Sequence, residues 1–455
     1  MTDQGKSGKG RKIILGVLVF LLLVITGGAI YLSTLLPIIT GYAAKNMGSA
    51  VFVQGRAPEE ADSIDLNFSF IKFTKSKIDL ADSSVTSSFL WGRSKAVYRE
   101  NFGVTLLRRT REDDLKKVHF PEIPAPCFSK DTVAWPLGDI LPDTATGINK
   151  ETLSVIARNL VRENSYGGNP FAFMVLHKGV PVAEEYDPQF DKNTPFLSWS
   201  MAKSVMNGLV GVLVKENGFD IYKPTGLEEW KDDERSKITL NDLMRMQSGL
   251  KWNEDYGSRS DVNIMLFCRK DMAEYVRDQE PEFPAGGQWK YSSGSSNVVS
   301  YIIRRYLKND SLYYTFPYTH LFYRIGITDA VLESDPSGTF IGSSYLYATA
   351  RDYARFALLY MQDGVFNGER ILPEGWVKYS IEETKPSNGE YGSLFWLYGE
   401  GDVPSAPKDM YSCEGHDGQR IFIMPSKELI VVVLGYSPRG TLDFDRLMRD
   451  ILGTL

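Results

Sequence analysis

A serine and a lysine three residues apart, Ser200 and Lys203, are the pair in this sequence best suited to chemistry. They open a segment that runs to Glu216, and its apolar pattern predicts a helix. Residues three apart in a helix lie on one face, so both side chains should point the same way near the helix N-terminus. A serine hydroxyl beside an amine, at the positive end of a helix, is one way to build a nucleophile.

The Ser-x-x-Lys spacing occurs three times, so context has to distinguish the pairs. Ser69 and Lys72 lie in a segment with strand-like alternation, where side chains three apart point to opposite faces. Ser405 is followed by an Ala-Pro step that predicts a loop. Only Ser200 opens an apolar helix. Taken alone, this serine is equally well explained as an ordinary N-cap residue.

A tyrosine followed by small residues forms the second motif. The segment YSSGSSN begins at Tyr291, after a Pro/Gly-rich loop and before an apolar helix. Small residues after a tyrosine allow the backbone and a substrate to approach its hydroxyl. A core tyrosine that merely precedes a helix is the competing interpretation.

A histidine close to a glycine forms the third motif. His416 and Gly418 flank Asp417 at the start of a predicted strand. The glycine would let a substrate lie along the strand edge. Because a lone histidine is more often structural than catalytic, this motif gains weight only from the other two.

Together and in this order, the three motifs resemble those of the serine β-lactamase and penicillin-recognising superfamily. The match is to its class C β-lactamase-related branch, which includes esterases, D-amino peptidases and 6-aminohexanoate-dimer hydrolases. SMAK at 200–203 matches the nucleophile motif, YSSG at 291–294 matches the tyrosine motif, and HDG at 416–418 stands where β-lactamases carry Lys-Thr-Gly. Longer phrases such as ITLNDLMRMQSGLKW and FPAGGQWKYSSG also look like this branch. The resemblance covers roughly residues 150–455.

The resemblance implies a role for each motif residue. Ser200 would be the acylated nucleophile, and Lys203 would take its proton. Tyr291 would pass a proton to the leaving group, and His416 would support it from the opposite wall. The backbone N–H groups of Ser200 and Gln419 would form the oxyanion hole. This two-step acyl transfer to water needs no cofactor or metal, but it needs a lysine pKa far below the ordinary value of about 10.4.

Two departures from the family pattern bear on the substrate. Ser293 stands where β-lactamases carry an asparagine that binds the substrate amide, and His416 replaces the lysine that grips a β-lactam carboxylate. Ser293 and Gly418 are the expected substrate-binding positions. Both departures argue against an efficient β-lactamase and favour an esterase or amidase acting on a small or peptide-like substrate. The alternatives are a catalytically silent ligand-binding or sensor protein of the same fold, and a cell-wall D-amino peptidase or weak β-lactamase.

The surrounding pattern predicts an α+β fold. A helix from residue 150 precedes a hairpin that turns at Lys178 and Gly179, and a second hairpin that turns at 425–427 precedes a C-terminal helix. Mostly helical sequence lies between them, with capping boxes that begin at Thr239 and Thr349. Residues 150–455 should therefore form an antiparallel sheet flanked by helices plus a helical subdomain, the β-lactamase/transpeptidase-like architecture that the resemblance implies.

The N-terminus predicts a membrane anchor. A basic tail, residues 1–12, precedes an uncharged segment, residues 13–36, that is long enough to cross a lipid bilayer as a helix. Pro37 then favours a break. The basic residues place the N-terminus in the cytoplasm and the catalytic domain outside the membrane. A cleaved signal peptide and a buried core helix are the competing interpretations.

The remaining sequence predicts supporting structure. Residues 45–119 alternate apolar and polar residues, which predicts a small β-rich module, and recurring prolines over 120–149 indicate an extended connector. A net charge of −6 with no basic stripe gives no indication of nucleic-acid binding. Three widely spaced cysteines form neither a disulfide framework nor a metal site, although one bridge is possible. The sequence leaves the oligomeric state open.

Overall fold

A computed structural model describes residues 7–117, 121–398 and 403–455. Residues 1–6 of the basic tail, and residues 118–120 at the junction of the predicted module and connector, lie outside the described residues. The helices are α1 (Ser7–Phe52), α2 (Pro58–Ile64), α3 (Glu112–Lys116), α4 (Lys150–Val161), α5 (Ala202–Asn217), α6 (Leu240–Met244), α7 (Asp261–Cys268), α8 (Met272–Arg277), α9 (Ser293–Leu307), α10 (Asp310–Phe316), α11 (Ala350–Met361), α12 (Trp376–Ile381) and α13 (Phe444–Leu452). The strands are β1 (Lys75–Asp79), β2 (Ser84–Phe89), β3 (Gly92–Arg99), β4 (Gly103–Leu106), β5 (Pro170–His177), β6 (Val180–Tyr186), β7 (Phe196–Leu197), β8 (Val331–Leu332), β9 (Leu346–Ala348), β10 (Val365–Phe366), β11 (Glu369–Arg370), β12 (Trp396–Leu397), β13 (Tyr411–Glu414), β14 (Arg420–Met424) and β15 (Leu429–Gly435).

A six-stranded antiparallel sheet forms the centre of the C-terminal part. Its order is β12-β13-β14-β15-β5-β6, so the two predicted hairpins lie side by side although they are far apart in the chain. β5 is buried along its whole length because helices cover both faces of the sheet. α4 and α13 pack on one face, and α11 packs on the other. The predicted antiparallel sheet built from chain-distant hairpins is confirmed.

Helices α5 to α10 form the predicted helical subdomain beside this sheet. Both predicted capping boxes are present, because Thr239 at the start of α6 and Thr349 at the start of α11 each exchange hydrogen bonds with the aspartate three residues later. α5 is buried from Ala202 to Leu213, which makes it the central helix of the layer. The turn before α5 packs against β13, so the helical layer meets the sheet at that point.

The N-terminal helix is longer than the sequence predicts. α1 runs unbroken through Pro37 to Phe52, although a proline removes one N–H donor and crowds the preceding turn at a cost of about 3 kcal/mol. The expected break does not occur because the last turns of α1 bury Ala43, Met47 and Ala50 against the sheet of strands β1 to β4, called the small sheet below. The most apolar part of α1 is fully exposed, and within the described residues α1 alone is long and apolar enough to cross a membrane.

The prediction of strands from residue 45 to residue 73 is wrong. This segment contains the end of α1, then α2, and the strands begin only at Lys75. Ser69 and Lys72 likewise lie in a turn and a short 3₁₀ helix rather than in a strand. The buried residues at the end of α1 follow a helical spacing of four and three residues, at 43, 47 and 50, and their packing against the neighbouring segments favours the helix over the short alternating pattern that starts at residue 49. Strands β1 to β4 form a four-stranded antiparallel sheet in chain order.

A buried ion pair joins α1 to the C-terminal part of the chain. Lys45 donates to Glu333, and both side chains are almost inaccessible to solvent. Ser49 Oγ and the Val104 N–H donate to the same carboxylate at 3.0 and 2.6 Å. A buried carboxylate is tolerated only when a cation and further donors satisfy it. The end of α1 is therefore part of the packed fold and not a flexible tether.

We expect Lys45→Met to destabilise the full-length protein by about 3–5 kcal/mol, because it leaves the Glu333 carboxylate buried without its cation. The double variant Lys45→Met/Glu333→Gln should regain much of this loss, since it removes the uncompensated charge. Denaturant-induced unfolding in detergent measures both. Lys237→Met, which removes the exposed partner of Glu234, is the matched control and should change the transition very little. A double variant as unstable as the single one would contradict the assignment.

Candidate active site

Ser200 lies in a single 3₁₀ turn, Trp199–Met201, directly before α5. Ser198, which precedes this turn, is fixed in place because its N–H donates to the Leu346 carbonyl oxygen at 2.8 Å. Trp199 has a φ of 45°, a conformation that bulky residues rarely adopt. Such strain persists only where the surrounding structure enforces it, and it is concentrated at functional sites. The backbone that carries Ser200 is thus held by its neighbours and not by its own preference.

The predicted serine and lysine are in direct contact. Lys203 Nζ lies 2.8 Å from Ser200 Oγ, and it also contacts Ser293 Oγ at 3.0 Å and the Ser343 carbonyl oxygen at 2.9 Å. None of these three partner atoms carries a charge. Burial lowers the pKa of Lys203 to about 8. A usable fraction of the amine is therefore neutral near pH 7 and can accept the proton of Ser200.

Tyr291 completes the group around Ser200. Interaction with the Ser200 side chain acts to lower the pKa of Tyr291, so the two side chains are neighbours, and Lys203 Nζ lies 4.9 Å from the centre of the tyrosine ring. Burial, and secondarily the charge of Glu254, raises the pKa of Tyr291 well above its ordinary value. The hydroxyl consequently stays protonated near neutral pH. The structure brings one proton acceptor and one proton donor to the same serine.

His416 lies at the edge of the site, where its side chain is 45% exposed. Its ring stacks on Tyr256 at 5.3 Å and meets the edge of the Trp199 ring at 5.5 Å. Its Nε2 lies 3.3 Å from Asp417 Oδ1. Among the described residues it makes no hydrogen bond to Tyr291, and its contact with the turn that carries Ser200 is the one with the Trp199 ring.

The two predicted oxyanion-hole segments lie against each other. A Cβ on Gly415 would overlap the Ser198 carbonyl oxygen and lie 2.8 Å from the Gln419 Cβ, so only glycine permits this approach. The side chain of Gln419 is anchored, because its Oε1 accepts from the Gly435 N–H at 3.0 Å and its Nε2 donates to the Gly435 carbonyl oxygen. The N–H of Ser200 belongs to the first turn of a helical segment, where no intrahelical acceptor is available. The predicted oxyanion-hole residues therefore lie on two segments that pack against each other where Gly415 meets Ser198.

The two predicted substrate-binding residues also have partners within the protein. The hydroxyl of Ser293 donates to Glu254 Oε1 at 2.5 Å and contacts Lys203 Nζ, so both its donor and its acceptor capacities are used. Gly418 has a φ of 83°, and a Cβ there would lie 2.8 Å from the Ser437 Cβ. The glycine is therefore required for packing against Ser437, whether or not a substrate passes the strand edge.

Glu254 is a site residue that the sequence did not indicate. Its carboxylate accepts hydrogen bonds from the Ser293 N–H at 2.9 Å and from Trp252 Nε1 at 2.5 Å, in addition to the Ser293 hydroxyl. Its charge raises the pKa of both Lys203 and Tyr291. The available signal was its place two residues after the phrase SGLKW, but an acidic residue just beyond an apolar segment looks like any surface loop.

The three cysteines are free thiols. Cys127 is exposed, Cys268 is half-buried, and Cys413 is buried. Burial raises the pKa of Cys413 to about 12, which leaves it inert as a nucleophile near neutral pH. The single bridge that the sequence left open is not formed. Within the described ranges, no group of three or more His, Cys, Asp or Glu side chains is arranged to hold a metal ion.

Comparisons with known proteins agree with this geometry. The beta-lactamase family model matches residues 160–452. A 6-aminohexanoate-dimer hydrolase from Paenarthrobacter ureafaciens is 24% identical over 297 residues, which cover 59% of this chain and 72% of that protein. The resemblance inferred from the three motifs is confirmed.

Solved structures of known proteins share the fold. A family VIII carboxylesterase superposes with a TM-score of 0.54 and 14% identity, over 68% of this chain and 98% of its own. A penicillin-binding protein homolog from Caulobacter crescentus superposes with a TM-score of 0.53 and 15% identity, over 69% of this chain and 99% of its own. Identities this low establish the fold alone.

We expect the reactivity of Ser200 toward a fluorophosphonate probe to rise with pH, with a midpoint of about 8, since only neutral Lys203 can accept the serine proton. Glu254→Gln should move this midpoint to lower pH, because it removes a negative charge that favours the protonated amine. The measurement is the rate of probe incorporation into the full-length protein in detergent, between about pH 6 and pH 10.

Glu280→Gln is the control for this shift, since Glu280 is an exposed carboxylate on the neighbouring loop, where its carbonyl oxygen accepts from the Lys251 N–H. It should leave the midpoint in place. A midpoint that stays the same or rises in Glu254→Gln would show that this carboxylate does not set the protonation of Lys203.

Proposed function

Because this chain belongs to the beta-lactamase family, a family of serine hydrolases, we propose that it hydrolyses an ester or amide bond through an acyl intermediate on Ser200. The observation that carries the proposal is the 2.8 Å contact between Lys203 Nζ and Ser200 Oγ. Burial of this amine lowers its pKa to about 8. A serine with an amine base in hydrogen-bond contact is sufficient to form an activated nucleophile.

In the acylation step, Ser200 Oγ attacks the carbonyl carbon of the substrate while its proton moves to Lys203 Nζ. The carbonyl oxygen becomes negatively charged and accepts from the N–H groups of Ser200 and Gln419, each contributing roughly 3 kcal/mol to the transition state. The bond to the leaving group then breaks. The leaving group takes a proton from the Tyr291 hydroxyl. Lys203 then passes the proton that it took from Ser200 to the tyrosine oxygen. Water then cleaves the acyl-serine in the reverse order and regenerates Ser200.

Ser293 has a positioning role in this scheme. Its hydroxyl contacts Lys203 Nζ at 3.0 Å and donates to Glu254, and the Ser343 carbonyl oxygen contacts the amine at 2.9 Å. These contacts keep the amine aimed at Ser200 while its charge changes. A serine in this place holds the base, and it leaves recognition of the substrate to the rim of the site.

The rim favours small or peptide-like acyl substrates over β-lactams. His416 occupies the place where β-lactamases carry a lysine, and its exposed ring lies among the aromatic rings of Tyr256 and Trp199. At this position the chain therefore offers an imidazole in place of a permanently charged amine for a carboxylate. The names of the similar proteins, a 6-aminohexanoate-dimer hydrolase and a carboxylesterase, point to amide and ester bonds respectively.

The apolar part of α1 is proposed to anchor this hydrolase in a membrane, with the N-terminus in the cytoplasm and the catalytic part outside. Basic residues Arg11 and Lys12 precede a stretch that is wholly exposed in the folded chain, and the positive-inside rule gives the orientation. Removal of a signal peptide fits less well, because residues 38–52 of the same continuous helix are packed into the fold.

We expect a fluorophosphonate probe to label the full-length wild-type protein in detergent and to label Ser200→Ala no longer, because the nucleophile is gone. Ser405→Ala is the matched control: it removes the serine of a second Ser-x-x-Lys pair and should label like the wild type. Turnover of p-nitrophenyl esters and amides should follow the same pattern. A wild-type protein with neither labelling nor turnover would support a silent binding protein of the same fold.

We expect Tyr291→Phe to lower kcat by about 10²–10⁴-fold, because the leaving group loses its proton donor. His416→Lys should reduce kcat much less, since His416 contacts Trp199 and makes no hydrogen bond to Tyr291 among the described residues. Steady-state kinetics on the best p-nitrophenyl substrate compares the two variants. Full turnover by Tyr291→Phe would remove the tyrosine from the mechanism.

A further inference from the structure

The small sheet carries an exposed apolar surface that the proposed chemistry does not use. Leu90 and Trp91, in the turn between β2 and β3, are 61% and 59% exposed, and Phe70 and Phe73, just before β1, are 58% and 55% exposed. These four residues form the tip patch. Large apolar side chains grouped on a surface mark an interaction site, whereas single ones are ordinary.

The strand register places the tip patch at one end of the small sheet. Lys75 at the start of β1 pairs with Ser88 near the end of β2. Phe73, two residues before Lys75, therefore reaches Phe89, and the two rings stack with centroids 6.2 Å apart. Phe89 is the neighbour of Leu90. The patch is thus continuous from the segment before β1 to the β2–β3 turn.

Hydrogen bonds between β3 and α1 show which part of α1 lies beside this end of the small sheet. Trp91 Nε1 donates to Ser33 Oγ at 3.0 Å. Three residues further along β3, the hydroxyls of Ser94 and Thr40 form a hydrogen bond of 2.6 Å. β3 therefore runs alongside α1 in the same direction, and its first residues lie at the level of Ser33.

Ser33 lies where the apolar part of α1 would leave a membrane. The hydrocarbon core of a bilayer is about 30 Å thick, which takes about 20 residues of helix at roughly 1.5 Å per residue. A core entered at Ile13 ends close to Ser33. Leu90 and Trp91 consequently lie at the boundary between hydrocarbon and water, the level at which tryptophan is enriched in membrane proteins.

The charged residues of the small sheet are also divided between its two ends, with basic residues at the end that carries the tip patch. The exposed basic residues Lys72, Lys75 and Arg93 surround the tip patch. The acidic residues Asp79 and Asp82 lie in or beside the β1–β2 turn, at the opposite end. Basic side chains beside apolar ones are the pattern of a surface that lies on anionic headgroups.

We propose that the tip patch docks onto the surface of the bilayer that α1 crosses, so that the chain contacts the membrane at two places. Because the end of α1 is packed into the fold, this second contact would stop α1 and the catalytic part from tilting together in the membrane, and it would hold the catalytic part at one distance from the bilayer. Tyr42, nine residues beyond Ser33 on α1, stacks on Trp199 with ring centroids 6.3 Å apart. The turn that carries Ser200 is thus held roughly 14 Å beyond the membrane boundary along the helix axis. The proposal rests on the proposed membrane span of α1.

The test uses the full-length protein in liposomes that contain anionic phospholipid. A single cysteine labelled with the polarity-sensitive dye NBD replaces Leu90, Leu80 or Val24, in a Cys127→Ser/Cys268→Ser background that removes the two accessible thiols. Leu80, 73% exposed at the opposite end of the same sheet, is the matched control. We expect the label at Leu90 to be blue-shifted and several-fold more slowly quenched by aqueous iodide than the label at Leu80.

The label at Val24 separates failure of the docking from failure of the span. If it is protected while the labels at Leu90 and Leu80 are quenched equally fast, α1 crosses the membrane but the docking is wrong. If it is itself open to iodide, the span fails and the docking fails with it. Brominated phospholipid gives a second, label-free measurement, since it should quench the tryptophan fluorescence of Trp91→Phe less than that of the wild type. Equal quenching of the two proteins would also overturn the proposal.

Discussion

The candidate site depends on keeping the pKa of one buried amine, that of Lys203, close to neutral pH. Lys203 is surrounded by uncharged oxygens, and burial lowers its pKa, whereas Glu254 acts in the opposite direction. Ser293 lies between the two charges and hydrogen-bonds to both. No ion pair joins Lys203 to Glu254 within the described residues, so the carboxylate moderates the pKa without holding the amine permanently charged. A serine is small enough to occupy this place and has both a donor and an acceptor to offer.

Such a balance requires a rigid frame, and part of that frame comes from the N-terminal helix. The strained backbone of Trp199 is held by Leu346 through Ser198 and by ring contact with Tyr42 of α1. Lys45, less than one turn further along α1, is bonded to Glu333. A chain that began at residue 45 would leave Trp199 without Tyr42 and the small sheet without its partner helix. The helix that the sequence predicts as a membrane anchor therefore also supports the turn that carries Ser200.

The features that the sequence predicted correctly are those that depend on local residue patterns. Ser200 and Lys203 are one helical turn apart, and the two hairpins and two capping boxes follow from periodicity and turn residues. The features it did not predict depend on contacts between distant segments. Lys45 and Glu333 are 288 residues apart, and the sequence around either residue does not indicate that they form an ion pair. The helix that passes Pro37 is likewise explained only by the sheet it packs against, which begins at Lys75.

The third motif shows how the added N-terminal part and the family's own part meet. Trp199 has His416 at the edge of its ring and Tyr42 stacked against it, and Tyr256 stacks in turn on His416. Four aromatic rings thus connect α1, the nucleophile turn, the start of β14 and the loop that follows Glu254. The contacts of His416 and of α1 thus converge on Trp199, whose strained backbone precedes Ser200. Because Ser198 and Tyr42 also hold this turn, its position does not depend on the His416 ring alone.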